Sequence, residues 1–157
     1  MSKHEAILNW QLQGDEFLQG RYSREHTWTF DGGITLPASP APTSVPAPFS
    51  NPAHVDPEEA FVAAVASCHL LTFLYLAYRA GILVTAYQDR PVGEMTKNER
   101  GVPWVSRITL HPVIQYAGPH PPDAATESRL HHAAHEQCYL ANSIRTEVVV
   151  APRPIPA

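Results

Sequence analysis

The sequence predicts an α+β protein, because strand-like segments come before, between and after two helical segments instead of alternating with helices one by one. Two observations carry this prediction. Residues 56 to 81 form a long apolar run bounded by helix start and stop signals, and the flanking segments show the two-residue alternation of half-buried strands. The length of 157 residues fits one domain spanning residues 1 to 157.

Three strands are predicted before the long helix, in residues 4 to 13, 21 to 30 and 34 to 38. The turn signal Asp31-Gly-Gly separates the second strand from the third. Because side chains alternate between the two faces of a strand, Arg24 is expected on the same face of the second strand as Trp28 and Phe30. A cation is therefore expected to share a face with two large aromatic side chains.

Two segments are rich in proline. Residues 37 to 57 hold seven of the 16 prolines, which excludes a helix interior or a central strand, and we expect an extended loop there. A loop of this length is typical of a functional or partner-wrapping segment, with a passive tether as the alternative. Residues 151 to 157 are expected to form a proline-rich tail.

The long helix has a clear start and end. Asp56 is placed to accept the first free amides, Glu59 completes a capping box, and Gly81 ends the helix. Nearly every residue between these signals is apolar on all faces, so we expect the helix to be buried on all sides. One sheet is not enough to cover it, and a homodimer is the simplest prediction.

The second half of the chain predicts strands, one helix and a last strand. The strands are expected in residues 82 to 91, 92 to 97 and 102 to 116, with a hairpin turn at 98 to 101. A second helix is expected from 124 to 139, followed by a final strand at 144 to 150.

Charge and hydropathy exclude several classes of function. A net charge of −4 and scattered Lys and Arg argue against nucleic-acid binding. The polar N-terminal residues do not resemble a secretion signal, so we expect a cytoplasmic protein. Ser67, His69 and Thr72 interrupt the apolar run from 60 to 77, which argues against a membrane role.

Cys68 and Cys138 are the candidate reactive groups. A thiol becomes a useful nucleophile as the thiolate, which a nearby cation stabilises. Cys68 lies about three turns into its helix, too far from the helix N-terminus to benefit, so the cation must come from another element. Arg24 is the first choice by pattern and Arg21 the second, while an inert, buried Cys68 remains the alternative.

The second helix also offers a metal-binding alternative. His131, His135 and Cys138 have spacings of four and three, which place all three on one helical stripe. No fourth ligand is evident nearby, and His132 points elsewhere.

Glu58 is the remaining candidate. Ten residues of helix separate it from Cys68 by about 15 Å, so it cannot touch the thiol of its own chain. If it belongs to the same site, it acts through an arginine or comes from a second subunit.

Two segments resemble the OsmC/Ohr family of thiol-dependent peroxidases. Asp56-Pro-Glu58, followed by an Ala-rich helix that leads to Cys68, is similar to the family's Asn-Pro-Glu segment, and Ala134-His-Glu-Gln-Cys138 is similar to its second-cysteine helix. Tyr139 and His69 depart from the usual neighbours of the two cysteines. The resemblance implies an intertwined homodimer with antiparallel sheets and two long helices buried at its centre.

The resemblance also implies roles for the candidate residues. Cys68 resembles the peroxidatic cysteine, Cys138 the resolving cysteine, Glu58 the family's glutamate and Arg24, or Arg21, its arginine. It implies that Cys68 attacks an organic hydroperoxide or hydrogen peroxide, becomes a sulfenic acid and forms a disulfide with Cys138. An external thiol, such as a lipoyl group or another dithiol, then reduces the disulfide, and no cofactor is expected. The alternative class is a ligand-binding dimer with bystander cysteines.

Overall fold

The structure is a computed structural model that describes residues 2–151. Apart from Ala151, the expected proline-rich tail lies outside the described residues. The chain forms two compact units, the first ending at Ala60 and the second beginning at Phe61.

The first unit contains an antiparallel sheet in the order β1-β2-β3, comprising β1 (Ala6–Asn9), β2 (His26–Phe30) and β3 (Thr35–Ala38). The three predicted strands are thus present but shorter than expected. Arg24 lies two residues before β2 and not within it, which corrects the sequence interpretation. Its backbone N–H donates to the carbonyl of Phe49 at 3.0 Å, so the proline-rich loop and not β1 satisfies this amide.

The predicted proline-rich loop is confirmed, and side chains and backbone tie it down locally. The buried hydroxyl of Ser39 accepts a hydrogen bond from the N–H of Asn51 at 2.8 Å. The backbone N–H of Ser39 donates to the carbonyl of Val55 at 3.0 Å. These bonds satisfy polar groups of a segment whose sheet-like pairing is an isolated bridge between Ala38 and Val55.

The long helix α1 spans Pro57–Arg79. The predicted capping box is present: the N–H of Glu59 donates to Asp56 Oδ1 at 2.7 Å, and the N–H of Asp56 donates to Glu59 Oε2 at 3.3 Å. Gly81 follows the helix with a φ of 72°, a conformation that favours glycine.

Within the described chain, α1 is buried on one side only. One stripe at four-residue spacing is buried: Val65, His69, Phe73 and Ala77. On the other side Leu71 is 63% exposed and Tyr78 75% exposed. The expected burial on all sides is therefore not achieved within the described chain, because no element of it covers the face that carries Leu71 and Tyr78.

The second unit contains two sheets and a second helix. Its strands are β4 (Leu83–Gln88), β5 (Val92–Lys97), β6 (Pro103–Leu110), β7 (Val113–Ala117) and β8 (Glu147–Val150), and its helix α2 spans Ala124–Gln137. One sheet pairs β4 with β7, and the other has the order β5-β6-β8. The pairs β4–β7 and β5–β6 are antiparallel as expected, whereas β8 joins β6 in parallel.

Two predicted boundaries in this unit are wrong. The segment 102 to 116 is divided into β6 and β7, because the N–H of His111 donates to Asp89 Oδ1 at 2.7 Å instead of to a neighbouring strand. The helix predicted to reach residue 139 ends at Gln137, and Cys138 has the extended angles φ −68° and ψ 117°.

The core of the second unit forms where α1 packs on the sheets and on α2. Val65 and Ala66 pack with Ile108 and Leu110 of β6. Phe73 and Ala77 pack with Ile114 of β7 and Ala134 of α2. The buried stripe of α1 is thereby fixed, and this fixes the direction in which Cys68 points.

Gly93 is a site where packing admits no side chain. A Cβ atom at Gly93 would lie 2.5 Å from Val62 Cγ2. We expect Gly93→Ala to lower the free energy of unfolding by about 1–3 kcal/mol, measured by denaturant titration, since overpacking forces side chains or backbone to shift.

A second substitution and a matched control test the cause. Adding Val62→Ala to Gly93→Ala should make the effects of the two changes less than additive, since it removes the colliding methyl groups. Gly32→Ala, where nothing lies within 4 Å of the new Cβ and φ is not positive, should change stability by less than about 0.5 kcal/mol. Equal losses at both glycines would contradict the packing explanation.

Candidate active site

The fold brings Cys68 and Cys138 together. Cys68 lies about three turns into α1, and Cys138 directly follows the last residue of α2. Both are free thiols, and the backbone N–H of Leu140, two residues after Cys138, lies against Cys68 Sγ. Two residues 70 positions apart in the sequence thus form one dithiol site.

A tight turn after α2 directs backbone amides at the two sulfur atoms. The N–H of Leu140 points at Cys68 Sγ, with N and S 3.5 Å apart, and the N–H of Ala141 points at Cys138 Sγ at 3.4 Å. The side chain of Asn142 holds the turn by donating to the carbonyls of Glu136 and Cys138, both at 2.9 Å. An amide that donates to sulfur stabilises the thiolate form.

The sequence interpretation missed these two amides. They depend on residues 138–143 leaving the helix and forming a 3₁₀ turn at Ala141–Ser143. The available signal was Asn142-Ser143 directly after the helical pattern, since Asn and Ser favour turns through their side-chain hydrogen bonds.

The two thiols have different surroundings. Cys138 is 1% exposed, and burial raises the pKa of its thiol, an effect to which the neighbouring Cys68 adds. Cys68 is partly exposed. A reagent from solvent therefore reaches Cys68 first, while Cys138 is held as the protonated thiol.

An open groove of about 500 Å³ flanks the dithiol site. Its lining combines α1 residues one to two turns beyond Cys68 with the residues on either side of Cys138: Leu71, Thr72, Tyr75, Gln137 and Tyr139. Tyr139 is 83% exposed. The groove offers apolar and aromatic surface next to the thiols.

The two candidate arginines lie in the first unit and differ in their partners. Arg21 forms an exposed ion pair with Glu16 and donates from Nε to Glu16 Oε1 at 2.9 Å. Arg24 stacks over the Tyr22 ring at 4.1 Å and donates to the Tyr22 carbonyl at 3.0 Å. Within residues 2–151, no carboxylate pairs with Arg24. The charge of Arg24 is therefore available to pair with another anion, whereas Glu16 already compensates the charge of Arg21.

Glu58 lies in the first turn of α1, in the same unit as Arg24. The two form no ion pair in the described part of the chain. The action of Glu58 on the arginine, within one chain or from a second subunit, stays a prediction.

A buried pair of histidines joins α1, where His69 follows Cys68, to α2. His69 Nε2 and His131 Nδ1 are 3.1 Å apart, and the two residues are 1% and 3% exposed. Burial lowers the pKa of each from 6.5 to about 4, and the His131 charge adds to the effect on His69. Both imidazoles are therefore neutral at pH 7.

This pair bears on the metal-binding alternative. His131 Nδ1 contacts His69, and Cys138 lies beyond the helix in extended conformation, whereas His131 and His135 share one side of α2. Over the described range 2–151, no group of three or more His, Cys, Asp or Glu side chains is arranged to hold a metal ion.

Comparison with known protein families shows to which family the chain belongs. The family of OsmC-like proteins matches residues 50–153. The chain belongs to this family. The OsmC-like fold expected from the two cysteine segments is thus confirmed, with two helices and mainly antiparallel sheets. It is the fold of a soluble domain, although one helix among the described residues, α1, is long and apolar enough to cross a membrane.

Solved structures agree with the assignment. An OsmC-like protein of unknown function from Vibrio cholerae is 45% identical, with a TM-score of 0.94 over 98% of this chain and 100% of that chain. An organic hydroperoxide resistance protein OsmC from Legionella pneumophila is 17% identical, with a TM-score of 0.69 over 97% and 96% of the two chains. The organic hydroperoxide resistance protein OhrB of Bacillus subtilis is 18% identical, with a TM-score of 0.66 over 97% and 98%. No curated protein matches the chain.

Proposed function

We propose that this OsmC-like protein is a thiol-dependent peroxidase that reduces organic hydroperoxides or hydrogen peroxide. The observation that carries the proposal is the asymmetric dithiol: a partly exposed Cys68 that receives the Leu140 amide, beside a buried Cys138 that receives the Ala141 amide. Family membership, shared with organic hydroperoxide resistance proteins, supports a redox role in stress.

The first step oxidises Cys68. Its thiolate attacks one oxygen of the peroxide, the O–O bond breaks, and the leaving alkoxide or hydroxide takes a proton to become an alcohol or water. Cys68 is left as a sulfenic acid. The Leu140 amide, which points at Cys68 Sγ, stabilises the attacking thiolate.

The second step consumes the sulfenic acid. The sulfur of Cys138 attacks Cys68 Sγ, the sulfenic oxygen leaves as water with the thiol proton, and a Cys68–Cys138 disulfide forms. An external thiol, a lipoyl group or another dithiol, reduces the disulfide by thiol–disulfide exchange and is itself oxidised. The contact between the two thiols supports a short path for this step.

Arg24 and Glu58 complete the proposed site. Arg24 stabilises the Cys68 thiolate and polarises the peroxide, and the Glu58 of a second subunit orients it through a charge-assisted pair. The absence of an ion pair between Arg24 and any described carboxylate supports Arg24 over Arg21.

A homodimer is part of the proposal. The exposed side of α1 presents Leu71 and Tyr78 to solvent, and β1, exposed along its length, presents Ile7 and Leu8. Exposed apolar surface of this kind can mark a protein–protein contact. A second copy of the chain would cover it. We place the enzyme in the cytoplasm, where external dithiols keep such sites reduced.

Intact-mass measurement tests the function. We expect one equivalent of cumene hydroperoxide or hydrogen peroxide to remove two hydrogens from the fully reduced protein. A digest should then contain a Cys68–Cys138 cross-linked peptide, and dithiothreitol should restore the original mass.

The non-enzymatic alternative gives the opposite result. If the chain is a ligand-binding dimer with bystander cysteines, both thiols remain alkylatable after excess peroxide. That outcome would sink the peroxidase assignment while leaving the family and the fold untouched.

A further inference from the structure

The two amides that face the sulfur atoms belong to consecutive peptide groups of the turn after α2. The first group joins Tyr139 to Leu140, and its N–H points at Cys68 Sγ, with N and S 3.5 Å apart. The second group joins Leu140 to Ala141, and its N–H points at Cys138 Sγ at 3.4 Å. A trans peptide group is planar and its C=O and N–H point in opposite directions, so a partner that holds the carbonyl oxygen also aims the amide.

Ser143 holds the carbonyl oxygens of both peptide groups. Its hydroxyl donates to the carbonyl of Tyr139 at 2.7 Å, and its backbone N–H donates to the carbonyl of Leu140 at 3.0 Å. Each of these carbonyls is the opposite end of a peptide group whose N–H faces a sulfur atom. One residue thus orients both donors of the dithiol site.

The bond from the hydroxyl also strengthens the donor that it orients. A hydrogen bond to the carbonyl oxygen polarises a peptide group, and consecutive hydrogen bonds of such a chain reinforce one another. A more strongly polarised N–H stabilises negative charge on the sulfur that it faces. The hydroxyl of Ser143 therefore favours the thiolate of Cys68 through the amide of Leu140.

The hydroxyl and the backbone of Ser143 serve different sulfur atoms. The hydroxyl holds the peptide group that faces Cys68, whereas the backbone N–H holds the one that faces Cys138. Asn142 secures the preceding carbonyl, that of Cys138, with its backbone N–H at 3.1 Å and its side chain at 2.9 Å. A substitution that removes the hydroxyl alone should therefore affect Cys68 and leave Cys138 and the turn in place.

We propose that Ser143 is a positioning residue for the reactive thiol: its hydroxyl orients the peptide group between Tyr139 and Leu140 and thereby raises the reactivity of Cys68. This role deepens the proposed function and rests on it for the reaction with peroxide. The effect on the thiol itself does not need peroxide, because the thiolate is the form that reacts with any electrophile.

The pH profile of alkylation by iodoacetamide tests this role, with peptide mass spectrometry reporting the rate at each cysteine separately. Ser143 is exposed, so Ser143→Ala leaves no buried cavity and should fold. We expect this variant to raise the midpoint of the Cys68 profile by about 0.5 pH unit and to lower its rate about threefold at pH values below the midpoint. The rate at Cys138 should not change.

Two variants serve as controls. Ser143→Thr keeps a hydroxyl at the same position and should retain the parent profile. Ser128→Ala removes an exposed serine hydroxyl from α2 and should retain it as well. An unchanged Cys68 midpoint in Ser143→Ala, or an equal rise in either control, would overturn the proposal. Faster alkylation of Cys138 in Ser143→Ala would also overturn it, since the hydroxyl would then only keep the turn closed.

A peroxide assay on the same proteins separates this role from the proposed function. If the Cys68 midpoint rises in Ser143→Ala but the parent protein does not consume peroxide, the peroxidase assignment fails and the role of Ser143 stands. If the parent protein consumes peroxide and the midpoint does not rise, the role of Ser143 fails and the peroxidase assignment stands.

Discussion

Replacing Cys68 with serine should lower the second-order rate constant for peroxide reduction by at least about 10³-fold. Removal of a nucleophile that acts directly on the substrate produces losses of this size or larger. A serine hydroxyl receives the same Leu140 amide but does not ionise near pH 7, so the geometry is kept while the nucleophile is lost. Stopped-flow measurement of peroxide consumption gives the rate constant.

Cys138→Ser is the matched variant, since it makes the same atomic change at the other sulfur. It should retain the first, single-turnover reduction of peroxide and lose steady-state turnover, because no disulfide forms. The Cys68 sulfenic acid should then accumulate and be trapped by dimedone. If Cys138→Ser lost the first step and Cys68→Ser kept it, the assigned roles of the two cysteines would be reversed.

Lowering the pH from 7 to 4 should reduce the free energy of unfolding by roughly 3–6 kcal/mol through His69 and His131. Their folded-state pKa of about 4 lies below the ordinary 6.5, so the unfolded chain binds more protons. Their contribution to stability is complete above pH 6.5 and is lost progressively as the pH falls towards 4. A pKa shift of this size corresponds to about 3 kcal/mol of unfolding free energy for each residue. Because the two rings are in contact, we expect their combined contribution to be smaller than the sum of the two.

Denaturant unfolding at pH values from 4 to 7 measures the slope of the unfolding free energy against pH. Variants separate the contribution of the two histidines from that of the carboxylates that titrate in the same range. The double variant His69→Leu/His131→Phe should show a flatter slope between pH 6.5 and 4. His132→Ala, which removes an exposed histidine on the same helix, should keep the slope of the parent protein. An unchanged slope in the double variant would show that the buried pair does not set the pH dependence.

Local signals predicted the central helix well. Its start at Asp56, the capping box with Glu59 and the stop at Gly81 depend only on neighbouring residues, and all three are confirmed. The two cysteine segments also identified the family, because each combines a reactive residue with a recognisable helix context. The fold class followed from the same reasoning.

Features that depend on distant contacts were not predictable in this way. Helical periodicity places His131 on a stripe with His135, but only the packing of α1 on α2 turns it towards His69, 62 residues earlier. The helix α2 ends at Gln137 because a turn follows it, and the side chain of Asn142 holds this turn by donating to the carbonyl of Cys138. Arg24 lies outside β2 because a loop carbonyl takes its amide, and no two-residue alternation reveals such a partner.

The contact between the Leu140 amide and Cys68 Sγ joins residues 72 positions apart, and this has a consequence for synthesis of the chain on the ribosome. Cys68 is synthesised first, while Cys138 and the amides of Leu140 and Ala141 follow at least 70 residues later. Until then α1 carries a thiol with neither its resolving partner nor its stabilising donor. A nascent chain released before residue 138 would hold a cysteine that peroxide can oxidise but that no internal thiol can rescue from overoxidation.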